Sequence, residues 1–167
     1  MKTYIIPATL EHAKEINDIR NHYILTSNAI LNLNAEPAET RMDWLKSRQS
    51  KTPVFVVTNS NTNNGLVLGW GCLNFFGDKP GYQVTAEISL YLKPEIHGQG
   101  IGKLLLQKLV DTAKELGFHS VISRITAENT ISVKLHEKLG FKQVAFLPEV
   151  GRKFDQWVSV IFYQKML

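Results

Sequence analysis

Glu87 is a carboxylate in the middle of an apolar, strand-like run, TAEISLYL at residues 85–92. The two-residue period of a β-strand places it on one face with Thr85, Ser89 and Tyr91, opposite the apolar residues. A carboxylate at such a position can take a proton from a substrate, directly or through water. Periodicity alone favours a simpler interpretation, in which this is the solvated face of an antiparallel strand.

His136 is a second residue able to move protons near neutral pH. It follows Ser132 by one turn in TISVKLHEKL, residues 130–139, which has helical spacing. The segment does not form the zinc motif H-E-x-x-H, because Gly140 stands where the second histidine is required. From the pattern alone, His136 is a histidine at the surface or the core edge of a helix, and no metal site is predicted.

A glycine-rich turn, HGQGIGK at residues 97–103, follows the Glu87 strand and opens a leucine-rich helical pattern. Gly98, Gly100 and Gly102 free the backbone from Cβ crowding where a helix begins, so that adjacent N–H groups can converge on an anion. The turn could equally be only a tight connection between strand and helix. The sequence pattern leaves both interpretations open.

Two common phosphate-binding motifs do not fit this turn. A dinucleotide fingerprint needs glycine at position 103, which is Lys103, and an acidic residue about 20 residues further on, which SVISRI lacks. A Walker loop needs glycine at position 97 and Ser or Thr at position 104, which are His97 and Leu104.

The hydrophobic spacing predicts a mixed α and β order, with the middle strands mainly antiparallel. Strands are predicted around Thr3–Ile6 and at residues 53–58, 66–76, 82–92, 120–125 and 157–166, and helices after Thr9, at Thr40–Arg48, Gly100–Leu116 and 130–139. Thr9 is the expected N-cap of the first helix, with Glu11 or His12 as its capping partner. NSNTNNG, residues 59–65, is the tip of a hairpin rather than a domain boundary.

The composition is that of an ordinary globular protein. The chain has 167 residues, 44% apolar and 20% charged, which predicts one domain, residues 1–167. The lone Cys72 lies in an apolar run and predicts a buried thiol and a reducing cytoplasm. No secretion signal or membrane span is expected. A net charge of +4 is compatible with an anionic ligand, but the cations are scattered, which argues against nucleic acid.

Apart from His97, HGQGIG matches the Q/R-x-x-G-x-G/A signature of the GNAT superfamily of N-acetyltransferases. The chain resembles the phosphinothricin acetyltransferase-like branch over most of its length, in IRNHYILTSNAI, GWGCLNFFGDKPGYQVTAEISLYL, ENTISVKLHEKLGF and VGRKFDQW. This resemblance implies a GNAT fold of mixed α/β class. Its features are a twisted, mostly antiparallel mixed sheet splayed at the centre and helices on both faces.

The resemblance also implies an acetyl-CoA site, and no metal. Its expected residues are the backbone groups of Leu90, Tyr91 and Leu92, the turn residues His97, Gly98, Gln99, Gly100, Ile101, Gly102 and Lys103, and, at the last helix, Asn129 and Ser132. Glu87 matches the branch's proposed general base, and His136 stands where many GNAT enzymes have an acid tyrosine. Asn129 has a second interpretation as an ordinary helix-start residue.

The loop FFGDKPGY resembles the family segment that grips a substrate carboxylate. Lys79 stands where relatives commonly have arginine, and Asp78 looks inserted; a lysine offers a point charge rather than a fork. Phe75, Phe76 and Tyr82 are candidates for a substrate side-chain pocket, although such aromatic residues are more often core or dimer contacts. Thr85 is assigned to the same pocket.

The implied activity is acetyl-CoA-dependent N-acetylation of a small amino acid or analogue, of the phosphinothricin, methionine sulfoximine or methionine sulfone type, by a cytoplasmic homodimer. Ser159, where many relatives have aspartate, departs from the family pattern. Two alternatives stay open: another amine acceptor, such as a polyamine, an aminoglycoside or a protein N-terminus, or a sensor that binds acyl-CoA without catalysis. A sensor would need the glycine turn but neither Glu87 nor His136.

Overall fold

The computed structural model describes residues 2–167. The strands are β1 (Tyr4–Pro7), β2 (Val54–Thr58), β3 (Val67–Phe75), β4 (Thr85–Leu92), β5 (Ser120–Thr126), β6 (Lys142–Lys153) and β7 (Gln156–Met166). The helices are α1 (Ala13–Thr26), α2 (Ala38–Lys46), α3 (Ile101–Glu115) and α4 (Thr130–Lys138). Within residues 2–167, no helix has both the length and the apolar character needed to span a membrane.

The seven strands form one sheet in the order β1-β2-β3-β4-β5-β7-β6. All neighbours pair antiparallel except β4 and β5, which are parallel. The parallel pairing covers only Thr85–Glu87 against Ser120–Ile122. Beyond Glu87 the two strands separate, so the sheet is open at its centre, as the sequence predicted.

Helices cover both faces of the sheet because its strands are apolar on both sides. On one face, Ile16 and Ile19 of α1 pack with Val56 of β2 and Trp70 of β3. On the other face, Leu105 and Leu109 of α3 belong to a larger cluster that also contains Phe55 and Leu73. Phe55 and Val56, neighbours in β2, therefore pack into the clusters on opposite faces of the sheet. This confirms the predicted helices on both faces.

The best-defined helix from sequence, α3, begins and ends at glycines. Gly100, with φ +79°, precedes Ile101, and Gly117, also with φ +79°, follows Leu116. At the C-terminal end, the Phe118 N–H donates to the Ala113 carbonyl (3.0 Å) across Gly117, which is a Schellman-type cap. The apolar face of the helix is almost wholly buried.

The other helix boundaries differ slightly from those predicted. Thr9 leads into a short 3₁₀ turn, Leu10–His12, and α1 starts only at Ala13. His12 is the capping partner, because its Nδ1 accepts from the Thr9 N–H at 3.0 Å. α2 begins directly after Pro37, where a proline is tolerated because the first N–H groups of a helix have no partner within the helix. It ends at Lys46, two residues before the predicted end at Arg48.

β6 was missed by the sequence analysis. It is the outer strand of a long hairpin with β7, closed by Phe154 and Asp155, both with positive φ. Its pairing with β7 has two register shifts, the second between Leu147 and Gly151, a segment that contains Pro148. Because nearly every residue of β6 is exposed, no apolar alternation marks it in the sequence.

Candidate active site

A cleft opens where β4 and β5 separate, and its volume is about 540 Å³. Ile88–Leu92 form one wall, Ser123–Thr126 the facing wall, and residues of α4 and of the glycine turn close the ends. This volume is in the range of pockets that hold small organic ligands. The cleft brings together most residues of the predicted acetyl-CoA site.

The backbone of β4 turns unpaired groups into this cleft. The Phe76 N–H donates to the Thr85 carbonyl (3.1 Å) and the Lys93 N–H donates to the Leu68 carbonyl (2.8 Å), so odd-numbered residues of β4 bond to β3. By the alternation of an antiparallel pair, the N–H groups of Ile88 and Leu90 point the other way, into the gap. The Leu90 amide is thus placed to polarise a carbonyl oxygen, whereas the Tyr91 N–H faces β3; Tyr91 lines the cleft, and its contact with acetyl-CoA stays a prediction.

The glycine turn presents a row of backbone donors at the mouth of the cleft. Gly98 and Gly100 have φ of +76° and +79°, and a Cβ added at either would meet nothing within 4 Å. Their conformation, and not crowding, therefore requires glycine. Within residues 2–167, the N–H groups of residues 98–102 have no hydrogen-bond acceptor, and Lys103 adds a positive charge beside them. Such a row at a helix start suits a diphosphate.

Tyr23 connects the end of β4 to the start of the glycine turn, and it was not predicted as a site residue. Its hydroxyl donates to the Leu92 carbonyl at 2.5 Å and lies 3.0 Å from Nε2 of His97. Burial, reinforced by the charge of Glu95, raises the pKa of Tyr23 to about 12. His97 is thereby held at the edge of the turn, while the Gln99 side chain donates to the Glu95 carbonyl at 3.2 Å.

Asn129 caps α4 and lines the cleft at the same time. Its Oδ1 accepts from the Ser132 N–H at 3.1 Å, which confirms the interpretation as a helix-start residue. The cap uses only the oxygen of the amide. Within residues 2–167, its Nδ2 has no partner, so a donor remains for a ligand.

His136 is buried, with 1% of its surface exposed, and its two ring nitrogens have different partners. Nδ1 is 2.8 Å from the Ser132 carbonyl, so it carries the proton; Nε2, 2.9 Å from Ser123 Oγ, then accepts from that hydroxyl. Burial lowers the pKa of His136, against an opposing contribution from the Ser132 carbonyl. The ring is therefore neutral at neutral pH and reaches the cleft wall through Ser123, which the sequence analysis missed.

Glu87 lies at the apex of the opening and is bound by Arg124. The Arg124 Nε donates to Oε1 at 2.7 Å and Nη2 donates to Oε2 at 2.9 Å. The Glu87 side chain is only 13% exposed, whereas that of Arg124 is 55% exposed and lines the cleft. The sequence analysis did not single out Arg124, although it is the one charged residue in the apolar run SVISRI.

The residues predicted to bind the acceptor lie at the other end of β4, outside the cleft lining. Phe75 packs against Phe118, and Phe76 packs edge-on against Tyr82. Thr85 Oγ1 is 3.0 Å from Ser120 Oγ. Lys79 is 74% exposed, 3.9 Å from Asp78. Ser159, the other departure from the family pattern, accepts a hydrogen bond from the Glu149 N–H on β6.

The described part of the chain, residues 2–167, contains no group of three His, Cys, Asp or Glu side chains placed to hold a metal ion. The polar groups at the cleft are amides and hydroxyls, an imidazole, and a guanidinium that is paired with a carboxylate. These groups are suited to binding an anionic thioester and transferring a proton.

Three comparisons with known proteins agree with this chemistry. Residues 16–141 match the model of the Acetyltransferase (GNAT) family. The L-methionine sulfoximine/L-methionine sulfone acetyltransferase of Salmonella typhimurium is 35% identical over 91% of this chain and 87% of that protein. A GNAT superfamily phosphinothricin acetyltransferase from Sinorhizobium meliloti, solved in complex with AcCoA, is 27% identical with a TM-score of 0.92, covering 100% of this chain and 89% of the other. A structure described as a ribosomal-protein-alanine N-acetyltransferase from Brucella melitensis is 32% identical, TM-score 0.91, over 98% and 99%.

Proposed function

The chain belongs to the GNAT acetyltransferase family, and we propose that this N-acetyltransferase uses acetyl-CoA to acetylate the amino group of a small amino acid or analogue. One observation carries the proposal: the cleft between β4 and β5 has amide donors at its mouth, and Arg124 in its lining is bonded to the carboxylate of Glu87, the last β4 residue paired with β5. The Salmonella relative, named for methionine sulfoximine and methionine sulfone, supports the choice of acceptor.

The residues that hold acetyl-CoA fall into three groups. The amides of residues 98–102 and Lys103 face its diphosphate, the Asn129 side-chain amide faces the pantetheine arm, and the Leu90 N–H faces the thioester oxygen. The thioester supplies an activated acetyl group. The Leu90 amide stabilises negative charge that develops on the carbonyl oxygen during attack by the amine.

Glu87 is the proposed general base. The acceptor must lose a proton before its nitrogen can attack, and Glu87 is the carboxylate at the point where β4 and β5 cease to pair, bonded to Arg124 of the cleft lining. An ammonium loses two protons on its way to an amide. Glu87 takes the first, which passes to solvent, and the second leaves nitrogen after the attack and ends on the departing sulfur, so each turnover releases one proton. Arg124 donates to both carboxylate oxygens, and for Glu87 to accept a proton at least one of these bonds must be given up.

His136 assists in its neutral form. Because Nε2 accepts from Ser123, the ring does not present a proton to the cleft in this tautomer. Its part is to orient the Ser123 hydroxyl at the cleft wall. The sequence-based role of His136 as a proton donor to the thiolate stays a prediction, one that a lowered pKa does not favour.

The five residues Phe75, Phe76, Lys79, Tyr82 and Thr85 remain proposed acceptor-binding residues from the resemblance alone. None lines the cleft described here. A contribution from the loop that carries Lys79 would require the acceptor to extend beyond the apex past Glu87.

A thiol-release assay with acetyl-CoA tests the proposed function. L-methionine sulfone and phosphinothricin are expected to give the highest kcat/KM, ahead of a polyamine, an aminoglycoside and a peptide beginning with alanine. The peptide is included because a ribosomal-protein-alanine N-acetyltransferase is among the similar structures. If the peptide gives the highest kcat/KM, the acceptor is a protein N-terminus and not an amino acid. If acetyl-CoA binds but no amine causes release of its thiol, the protein is a sensor.

A homodimer is the proposed assembly, with the β6–β7 hairpin in its interface. The hairpin exposes large apolar side chains on the outer edge of the sheet: Val144, Phe146, Leu147, Val150, Phe154 and Trp157. Exposed apolar surface of this kind marks a contact site, and a two-fold axis lets one patch cover its own copy. Sedimentation equilibrium is expected to give twice the chain mass of 18.9 kDa, and a monomer at micromolar concentration would contradict the assembly.

The proposed location is the cytoplasm, with no nucleic acid or membrane partner. Cys72 is free and fully buried, and burial raises the pKa of its thiol to about 11, so it is a poor nucleophile and needs no oxidising compartment. Fractionation of cells producing the protein tests this location, and recovery with membranes would count against it.

A further inference from the structure

We infer that Arg124 selects acceptors that carry a carboxylate next to their amine, and this inference rests on the proposed amino acid N-acetylation. Arg124 and Glu87 place a cation and an anion side by side at the apex of the cleft. An α-amino acid carries an ammonium and a carboxylate on one carbon atom. The two pairs of charges are complementary, so the ammonium can face Glu87 while the carboxylate faces Arg124.

The guanidinium has donors left for this task. Its bonds to Glu87 use Nε and Nη2, and within residues 2–167 Nη1 has no hydrogen-bond partner. The Arg124 side chain is 55% exposed and lines the cleft, so Nη1 can reach a ligand there. A guanidinium binds a carboxylate through two parallel N–H···O bonds, which gives the contact a fixed orientation.

Exchange of partners also explains how Glu87 becomes a base. In this structure both of its oxygens accept from Arg124. When the acceptor's carboxylate binds to Nη1 and Nη2 together, the bond from Nη2 to Glu87 Oε2 is given up. That oxygen is then free beside the ammonium. An N–H bond of the ammonium then breaks and an O–H bond to Glu87 forms, leaving a neutral amine. An amine that lacks the carboxylate would not release Glu87 in this way.

Lys79 is the rival candidate for the carboxylate. It lies outside the cleft lining, is 74% exposed, and is 3.9 Å from the carboxylate of Asp78. An exposed ammonium held beside another carboxylate is strongly hydrated and contributes little directional binding. The geometry therefore favours Arg124.

The test compares L-methionine sulfone with its carboxamide, which keeps the amine and side chain but removes the negative charge. Arg124→Gln is expected to lower the ratio of kcat/KM values, acid over amide, by about 10- to 100-fold, the effect of losing a charge-assisted hydrogen-bond pair. Comparing each variant with wild type on the same substrate cancels the different amine basicities. Arg124→Lys, which keeps the charge without the fork, should fall between the two.

Two further variants make the result decisive. Lys79→Ala should change the acid-to-amide ratio much less than Arg124→Gln does, because an exposed ammonium contributes little directional binding. Lys14→Gln removes another ion pair, that with Asp18, outside the cleft and controls for the loss of surface charge. If Arg124→Gln lowers kcat/KM equally for the acid and the amide, Arg124 only positions Glu87. If the acid-to-amide ratio falls in Lys79→Ala instead, Lys79 binds the carboxylate. Either result overturns the inference.

Failure of the proposed function would look different. In that case wild type would release no thiol with either compound, and the premise would fall together with the inference. Calorimetry with acetyl-CoA completes the test, since Arg124→Gln should bind it as tightly as wild type. A large loss of acetyl-CoA affinity would place Arg124 in the cofactor site and would also overturn the inference.

Discussion

Replacing Glu87 with glutamine is expected to lower kcat at saturating amine by about 100- to 10,000-fold, the usual contribution of a general base. The substitution keeps the shape of the side chain and removes only its capacity to take a proton. Because Glu87 lies at the apex, away from the turn at residues 97–102, acetyl-CoA affinity should stay at the wild-type value. Steady-state thiol release and calorimetry measure the two quantities separately.

Glu36→Gln is the matched control. Glu36 is also bound by arginines, with Arg20 Nε at 3.1 Å and Arg41 Nη2 at 2.8 Å, but it holds the segment before α2, and neither arginine lines the cleft, whereas Arg124 does. Its loss should lower thermal stability and leave kcat of the folded enzyme unchanged. His136→Gln removes the hydrogen bonds to Ser123 and to the Ser132 carbonyl, and it should cost about tenfold in kcat, the worth of one hydrogen bond, together with some thermal stability. Unchanged turnover in Glu87→Gln would remove Glu87 from the mechanism.

Replacing Gly100 with valine is expected to weaken acetyl-CoA binding by about 10- to 100-fold, the equivalent of one charge-assisted hydrogen bond or more. Gly100 has φ +79°, and a side chain there would project from the turn that offers its amides to the diphosphate. The left-handed conformation itself also costs a non-glycine residue about 1–2 kcal/mol of stability. Calorimetry gives the affinity, and thermal denaturation gives the stability.

Gly117→Val separates these two effects within the same helix. Gly117 has the same φ of +79°, and an added Cβ there also meets nothing within 4 Å, but it lies at the opposite end of α3. Both variants should lose similar stability, and only Gly100→Val should lose acetyl-CoA affinity. Equal affinities in the two variants would show that the turn serves the fold alone.

Local patterns were enough to predict most of the helices and strands, whereas the sheet that is splayed at its centre was implied by the family resemblance. α3 could be predicted because its apolar spacing is regular and glycines bound it, and the antiparallel strands β2, β3 and β4 because each is a distinct apolar run. β6 could not, because its hydrogen bonds come from β7 while its side chains face solvent. Without a buried face, a strand has no periodicity for a sequence to reveal.

The site was only partly predictable for a related reason. The donor row after His97 is local in the chain, so the glycines indicate it, although the pattern alone left a simple tight turn equally open. The partners of Glu87 and His136 are not local. Arg124 and Ser123 are brought to them by the short parallel register of β4 with β5, which pairs Glu87 with Ile122, and nothing in SVISRI fixes that register.

The most direct measurement is a crystal structure with acetyl-CoA and L-methionine sulfone, obtained with the Glu87→Gln variant to slow turnover. The account predicts the diphosphate on the amides of residues 98–102, the thioester oxygen on the Leu90 N–H, and the acceptor's amine and carboxylate at residue 87 and Arg124. Acetyl-CoA bound outside the gap between β4 and β5, or an amine directed away from residue 87, would contradict it.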